Sequence, residues 1–118
     1  MHEYSVTMGL IKMVVEEANK VNVKKITEIR LVIGDLSTII DDSVQMYFDI
    51  LSKGTVAEGA KLVFKRIEAQ FECTSCGHIF NKPKTGFDCP ACGELGRPTG
   101  VGKEFYVESI EVEEDDSN

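Results

Sequence analysis

The chain has 118 residues and a hydrophobic content of 42%, which suits one globular domain of ordinary size and excludes a disordered chain. Its net charge is −7, and residues 71–103 carry four basic and three acidic side chains, so no basic stripe is available to neutralise nucleic-acid phosphates. No apolar run approaches the length that spans a bilayer, and the Met-His-Glu-Tyr start lacks a secretory leader. We therefore predict a cytoplasmic protein with no nucleic-acid partner and no membrane partner.

The first predicted element is a helix over residues 4–21, which begins with Ser5 as a capping residue and ends near Asn22. Its apolar residues recur at the i, i+3, i+4 spacing that places them on one buried face. The predicted buried residues are Leu10, Met13, Val14, Ala18 and Val21.

A strand is predicted over residues 25–33, because its apolar residues alternate with others. The Asp41-Asp42-Ser43 run supplies capping side chains for a second helix, and Gly54 suits the C-terminal end of that helix. Apolar spacing in the second helix and the aromatic residues of later segments predict further core positions. These are Val44, Tyr47, Phe48, Leu51, Phe64 and Phe105.

Two more strands are predicted over residues 61–69 and 103–112, and we expect them to pair antiparallel at the base of the segment between them. The predicted fold class is α+β: a small mixed three-stranded sheet covered by two helices, with an inserted four-cysteine zinc ribbon. The predicted domains are residues 1–70 with 102–112, and the ribbon at 71–101. The acidic run at 113–118 is interpreted as a solvated tail.

Two Cys-x-x-Cys pairs separated by twelve residues form the clearest motif of the chain. Each pair is typical of a tight turn, or knuckle, that presents two sulfurs to one zinc ion. Gly77 and Gly93 each follow the second cysteine of a pair, where a positive φ helps the chain to bend back. A site closed by four protein ligands is predicted to be structural and not hydrolytic. The predicted zinc ligands are Cys73, Cys76, Cys89 and Cys92.

Other uses of these cysteines fit the sequence less well. Disulfides suit an oxidising compartment, and a thioredoxin-like pair would stand alone beside a βαβ unit. Iron–sulfur clusters can use four cysteines, but two symmetric knuckles favour zinc. His78 lies two residues beyond Cys76 and is either a solvent-facing loop residue or a neighbour of the zinc shell.

The N-terminus combines donor groups for a second metal. The α-amino group of Met1, the amide nitrogen of His2 and the His2 imidazole can close two adjacent chelate rings, and the amide nitrogen of Glu3 can complete a square. Square-planar nitrogen sites favour Ni(II) or Cu(II), and binding must release protons. From position alone, however, a histidine here is more commonly a terminal residue without a metal.

Several segments together carry a family resemblance. The chain opens with Met-His-Glu-Tyr-Ser, and residues 33–37, 58–62 and 102–104 are Ile-Gly-Asp-Leu-Ser, Glu-Gly-Ala-Lys-Leu and Gly-Lys-Glu. With the two knuckles, these segments resemble the HypA/HybF family of hydrogenase maturation factors over nearly the whole chain. The chain departs from the family at Asp41-Asp42, where many members have proline and glutamate. A role of this acidic pair as nickel ligand or partner contact therefore stands beside its interpretation as a helix cap.

The resemblance implies a nickel metallochaperone that is not an enzyme. It implies nickel binding by His2, with Glu3 as its neighbour, in the domain of residues 1–70 and 102–112, and zinc as a structural cofactor of the ribbon. The chelate chemistry of the N-terminus adds Met1 to the predicted nickel ligands. The implied partners are a HypB-type GTPase, the [NiFe]-hydrogenase large subunit and, for some members, urease maturation factors. We expect a monomer or weak homodimer.

The main rival function is a zinc-ribbon adaptor that binds protein or nucleic acid without handling nickel. In such an adaptor, Met1 and His2 would have no functional role. A thiol oxidoreductase would need cysteines that are not bound to metal. The sequence contains no P-loop, nucleophile elbow or His-Glu-x-x-His motif, so no catalytic constellation is predicted.

Overall fold

Eight elements follow one another in the computed structural model, which describes residues 2–114 and, for His2, the backbone only. The strands form two sheets of three, in the orders β2-β1-β6 and β4-β3-β5. The chain divides into a helical unit, which runs up to Leu31, includes Thr38–Lys65 and resumes at Tyr106, and a ribbon unit of Val32–Ser37 and Arg66–Phe105. The elements are α1 (His2–Asn19), β1 (Val23–Gly34), α2 (Asp41–Leu51), β2 (Lys61–Ile67), β3 (Gln70–Cys73), β4 (Ile79–Asn81), β5 (Gly96–Pro98) and β6 (Phe105–Glu114).

α1 begins at His2, so the predicted capping role of Ser5 is wrong. Glu3 lies in the first turn, where a carboxylate is stabilised by the positive end of the helix dipole. The Thr7 hydroxyl donates a hydrogen bond to the Glu3 carbonyl at 2.5 Å, one turn earlier. These local interactions support a helix that starts earlier than apolar spacing alone indicates.

The buried stripe of α1 matches the prediction in part. Met13 and Val21 are 42% and 62% exposed, so their assignment to the core is wrong. Met13 lies at the edge of the stripe, and Val21 lies beyond the last helical residue. The buried residues of α1 are Thr7, Leu10, Ile11, Val14 and Ala18.

β1 is the central strand of the β2-β1-β6 sheet, so the predicted pairing of the two later strands with each other is wrong. The N–H of Asp35 donates to the carbonyl of Ile67 at 2.9 Å, which brings the C-terminal ends of β1 and β2 together and makes them parallel. The N–H of Gly34 donates to the carbonyl of Glu104 at 2.8 Å, so β6 starts where β1 ends and runs antiparallel to it. β1 takes the centre because consecutive residues near its end are buried. The predicted mixed sheet of three strands is confirmed.

The N-cap residue of α2 is Ile40, whose side chain makes no capping hydrogen bond, so the predicted capping by Asp41-Asp42-Ser43 is wrong. Asp41 and Asp42 instead lie in the first turn, where they complement the helix dipole. The C-cap is Ser52, and Gly54 takes a φ of +80° in the turn beyond it.

The predicted apolar face of α2 is confirmed at its centre, where Val44 and Phe48 are fully buried. Tyr47 is half-buried and meets Tyr4 of α1 edge to face, with ring centroids 5.5 Å apart. The remaining predicted core positions, Leu51, Phe64 and Phe105, are half-buried.

In the ribbon unit, β3 pairs antiparallel with β4 on one side and with β5 on the other. Phe71 lies opposite Phe80 in β4 and opposite Pro98 in β5. The unit includes residues 32–37, 66–70 and 102–105 as well as the predicted 71–101. β6 continues to Glu114, two residues into the predicted acidic tail, whose residues 115–118 lie outside the described part of the chain. Within residues 2–114, neither helix is long and apolar enough to cross a membrane.

Candidate metal centre

Two turns of the same design present the cysteines. Cys73 ends β3, and the N–H of Gly77 donates to its carbonyl at 3.2 Å; in the second turn the N–H of Gly93 donates to the carbonyl of Cys89 at 2.9 Å. Both glycines take a positive φ, +75° for Gly77 and +80° for Gly93, as the knuckle motif predicts. The two-knuckle prediction is therefore confirmed in its backbone geometry.

The four cysteine sulfurs converge on one point, since all lie within 4.8 Å of one another. The Sγ atoms of Cys73 and Cys92 are 3.4 Å apart, and those of Cys76 and Cys89 are 3.8 Å apart. A tetrahedron of thiolates about 2.3 Å from a central ion has edges of about 3.8 Å, and a disulfide needs about 2.05 Å. The arrangement fits one tetrahedrally bound metal ion and no disulfide.

Backbone N–H groups prepare one sulfur for the anionic form. The N–H of Cys76 donates to the Sγ of Cys73 at 3.4 Å, and the N–H of Ser75 does so at 3.3 Å. The pKa of Cys73 is lowered to about 6, first by the Cys76 N–H and then by the Ser75 N–H, against the opposing effect of burial. The Ala91 N–H donates to Cys89 Sγ at 3.3 Å, so the second knuckle also has a backbone N–H that donates to its first cysteine.

The crowding of the four thiols has the opposite effect on Cys92. The backbone N–H of Glu94 acts to lower the pKa of Cys92. The contact of the Cys92 thiol with Cys73, its burial and the other two thiols oppose this effect, and together they raise the pKa of Cys92 to about 12. Four sulfurs this close cannot all carry a negative charge unless a cation lies among them. The donor set therefore requires a metal ion for its fully ionised form, and four soft sulfur ligands suit zinc or iron.

His78 is exposed and lies outside the cysteine cluster, the only such group of potential metal-ligating side chains among the described residues. Its ring is stacked on Phe80 with centroids 6.1 Å apart, and its carbonyl accepts the N–H of Cys73 at 2.9 Å. The geometry agrees with a solvent-facing loop residue that supports the first knuckle through its backbone.

An aromatic cluster supports the cysteines, and sequence reasoning missed it. Phe71 lies 6.2 Å from Phe80 and 5.3 Å from Phe87 between ring centroids, and Lys82 Nζ lies 5.1 Å over the Phe87 ring. A Cβ at Gly96 would lie 2.5 Å from Phe80 Cζ, so β5 needs glycine at this position. The alternation of Phe71 and Cys73 along β3 was the available signal.

The groups predicted to bind nickel are only partly described. Met1 and the His2 side chain lie outside the described structure, whereas the backbones of His2 and Glu3 form the first turn of α1. Glu3 is half-buried. Asp41 is half-buried and Asp42 exposed at the start of α2.

An α+β fold with a four-cysteine ribbon defines a small metal-binding protein. A family model described as "Hydrogenase/urease nickel incorporation, metallochaperone, hypA" matches residues 1–112. The chain therefore belongs to the HypA family, whose members are nickel metallochaperones and not enzymes.

Similar proteins that cover nearly all of the chain agree with this assignment. "Hydrogenase maturation factor HypA" of Caldanaerobacter subterraneus subsp. tengcongensis is 57% identical, with 96% of this chain and 100% of the relative covered. A HypA of Dehalococcoides mccartyi is 44% identical, with 98% and 97% covered. The solution structure of the Ni metallochaperone HypA from Helicobacter pylori is 28% identical, covers 98% of this chain and 100% of its own, and has a TM-score of 0.66.

Proposed function

We propose that this chain carries Ni²⁺ at its N-terminus and delivers it, in the cytoplasm, for maturation of [NiFe]-hydrogenase and, in some settings, of urease. The proposed ligands are the Met1 α-amino nitrogen, the amide nitrogens of His2 and Glu3, and the His2 imidazole. Four nitrogens of these kinds suit square-planar Ni(II). This ligand set requires the α-amino group of Met1 to be free.

One observation carries this proposal: α1 starts at His2, so the amides of His2 and Glu3 lie in its first turn. The first four N–H groups of an α-helix have no intrahelical carbonyl to bind. Deprotonating the amides of His2 and Glu3 for nickel therefore breaks no helical hydrogen bond. Two anionic amide nitrogens also neutralise the divalent charge, which the positive end of the helix dipole would otherwise disfavour.

Transfer follows from the openness of such a site. A chelate at a chain terminus can be approached by an incoming ligand, and each nitrogen can be replaced in turn by a donor of the acceptor protein. Reprotonation of the two amides at pH values below those of loading assists release, since binding gives up protons. The expected pH dependence is tighter nickel binding as pH rises.

We assign the cysteine site to structural Zn²⁺, which takes four thiolates in a tetrahedron and carries no redox chemistry. Cys73, Cys76, Cys89 and Cys92 hold the ion, and the aromatic cluster beneath them supports the two knuckles. In this assignment residues 71–101 form the zinc ribbon, and residues 1–70 with 102–112 form the nickel domain. Zinc supplies rigidity to the ribbon and takes no part in nickel transfer.

The partners that fit this function are a HypB-type GTPase, the [NiFe]-hydrogenase large subunit and urease maturation factors. We propose these partners because the chain belongs to the HypA family, and not because of a particular surface of the chain. We also propose a monomer or weak homodimer, because a nickel carrier must expose its bound ion to successive partners.

Nickel titration of the untagged protein tests the proposal. We expect one high-affinity Ni²⁺ per chain with the visible absorption and diamagnetism of a square-planar site, while zinc stays at one equivalent. A paramagnetic, six-coordinate nickel species, or nickel that displaces zinc from the cysteines, would contradict the assigned ligands. Absence of any high-affinity nickel would favour the zinc-ribbon adaptor.

A further inference from the structure

β6 is an outer strand of the β2-β1-β6 sheet and has an open edge. Among the described residues, the backbone hydrogen bonds outside the regular elements involve no residue of 106–114. Most of the strand is exposed to solvent. An exposed edge of this length offers a row of N–H and C=O groups that a further strand can pair with.

An apolar groove runs beside this open edge. Its apolar lining comes from Met13, Val14 and Val21, on and just after α1, and from Val107 and Ile110 of β6. Met13 and Val21 are the two residues of the predicted helical core that the fold leaves exposed. The groove and the edge belong to the same unit, so a single segment lying along β6 can use both.

The strand is strongly acidic, with four glutamates and no lysine or arginine. The glutamates that pair within the sheet do so at long distances: Glu108 lies 3.7 Å from Lys65, and Glu111 lies 4.0 Å from Arg30. Glu113 lies 3.6 Å from Lys25 and 3.8 Å from Lys24. Their side chains are 43%, 62% and 45% exposed. Carboxylates so exposed can still accept a cation from a neighbouring strand.

We propose that the groove between α1 and β6 docks an extended segment of a partner protein in which apolar and basic residues alternate. Such a segment adds a fourth strand to the sheet. Because side chains of a strand point to opposite faces in turn, its apolar residues enter the groove and its lysines or arginines meet the glutamates of β6. A second copy of β6 is disfavoured as the occupant, since it would bring glutamates against glutamates.

A fluorescent peptide of alternating lysine and valine, measured by anisotropy with the full chain, tests the docking site. Met13→Gln removes an apolar wall of the groove and is expected to weaken binding about tenfold, as is the double change Glu108→Gln with Glu111→Gln. Met46→Gln is the matched control, because Met46 is 51% exposed, against 42% for Met13, and lies on α2 outside the groove lining. It is expected to leave peptide binding unchanged.

Two modified peptides separate strand pairing from simple charge attraction. N-methyl groups on alternate residues of a peptide remove the backbone N–H donors along one edge of its strand. A peptide methylated along the edge that faces β6 is expected to lose binding. A peptide of the same composition with all lysines at one end is expected to bind much more weakly. Equal binding of either peptide, or equal weakening by Met46→Gln, would overturn the proposal. Sedimentation showing self-association that Met13→Gln abolishes would overturn it as well, because a second copy would then be the occupant.

Discussion

Gly34 and Gly102 meet backbone to backbone, so closely that a Cβ on Gly34 would overlap the carbonyl group of Gly102. The same Gly102 carbonyl accepts the N–H of Leu36 at 2.7 Å, and the Gly102 N–H donates to the Glu104 carboxylate at 2.8 Å. The end of β1 is thereby fixed to the segment that leaves the ribbon. This contact explains why residues 32–37 belong to the ribbon unit and not to the unit that contains the rest of β1.

Gly34→Ala is therefore expected to lower the free energy of unfolding by roughly 1–3 kcal/mol, the range for overpacking a close contact. Gly9→Ala is the control, because nothing lies within 4 Å of a Cβ at Gly9 in the interior of α1. The control should stabilise the protein by about 0.5–1 kcal/mol through helix propensity. Urea unfolding followed by circular dichroism measures both, and equal stabilities of the two variants would contradict the close contact.

Much of the architecture follows from local patterns in the sequence. Short-range spacing determines the two knuckles, the order of the elements and the buried centre of α2. This spacing can be read directly from the Cys-x-x-Cys pairs and from the apolar residues around Val44 and Phe48. The position of β1 depends instead on long-range competition between strands, which periodicity does not encode. Met13 shows the same limit: helical spacing predicts which residues share a face, and only the neighbouring strands decide how wide the buried stripe is.

The candidate sites were predictable to different degrees. Two Cys-x-x-Cys pairs at this spacing predict one shared metal site, because few other kinds of site use four cysteines in this pattern. The supporting contacts are predictable only in part: alternation places Phe71 and Cys73 on one face of β3, but the contacts with Phe80 and Gly96 depend on the register of β3 with its neighbours. Apolar spacing predicts too late a start for α1, because the groups that stabilise its first turn, Glu3 and Thr7, are polar and lie outside an apolar pattern.

Loss of one cysteine should remove the metal from the ribbon. Cys76→Ser is expected to lose the copurifying zinc and the ordered ribbon, because three thiolates bind much more weakly and metal binding is coupled to folding in such small units. The helices should persist, since their buried residues lie in the other unit. Metal analysis and NMR amide dispersion measure the two effects. Ser75→Ala, at an exposed residue of the same knuckle, should keep the zinc, and an ordered ribbon in zinc-free Cys76→Ser would contradict the account.

The contact between Tyr4 and Tyr47 should couple the start of α1 to α2. A double-mutant cycle with Tyr4→Ala and Tyr47→Ala is expected to give a coupling of about 0.5–1.5 kcal/mol in the free energy of unfolding, as for other edge-to-face aromatic pairs. Tyr106, which is 49% exposed on β6, supplies the control cycle with Tyr4 and should show no coupling. A vanishing Tyr4–Tyr47 coupling would show that the ring contact is not formed in solution.

The acidic balance of the chain predicts weak and nonspecific binding to nucleic acids at physiological salt. With a net charge of −7, the protein offers too few cations to release counterions from a phosphate backbone. Gel-shift titrations with duplex DNA and with RNA measure this directly. Tight, sequence-dependent binding would favour the adaptor function over nickel transfer.

The central claim is that nickel binds through the Met1 amine, the following amides and the His2 imidazole together, and calorimetric nickel titration of three variants tests it most directly. His2→Ala is expected to abolish the high-affinity nickel site while zinc content and thermal stability stay near those of the native protein. A Gly-Ser extension ahead of Met1 should weaken nickel binding almost as much, because it converts the amine into an amide and keeps the imidazole. His78→Ala, at the other histidine of the chain, should leave the site intact. Nickel binding of native affinity in the extended protein would exclude the amine as a ligand, and native affinity in His2→Ala would contradict the account as a whole.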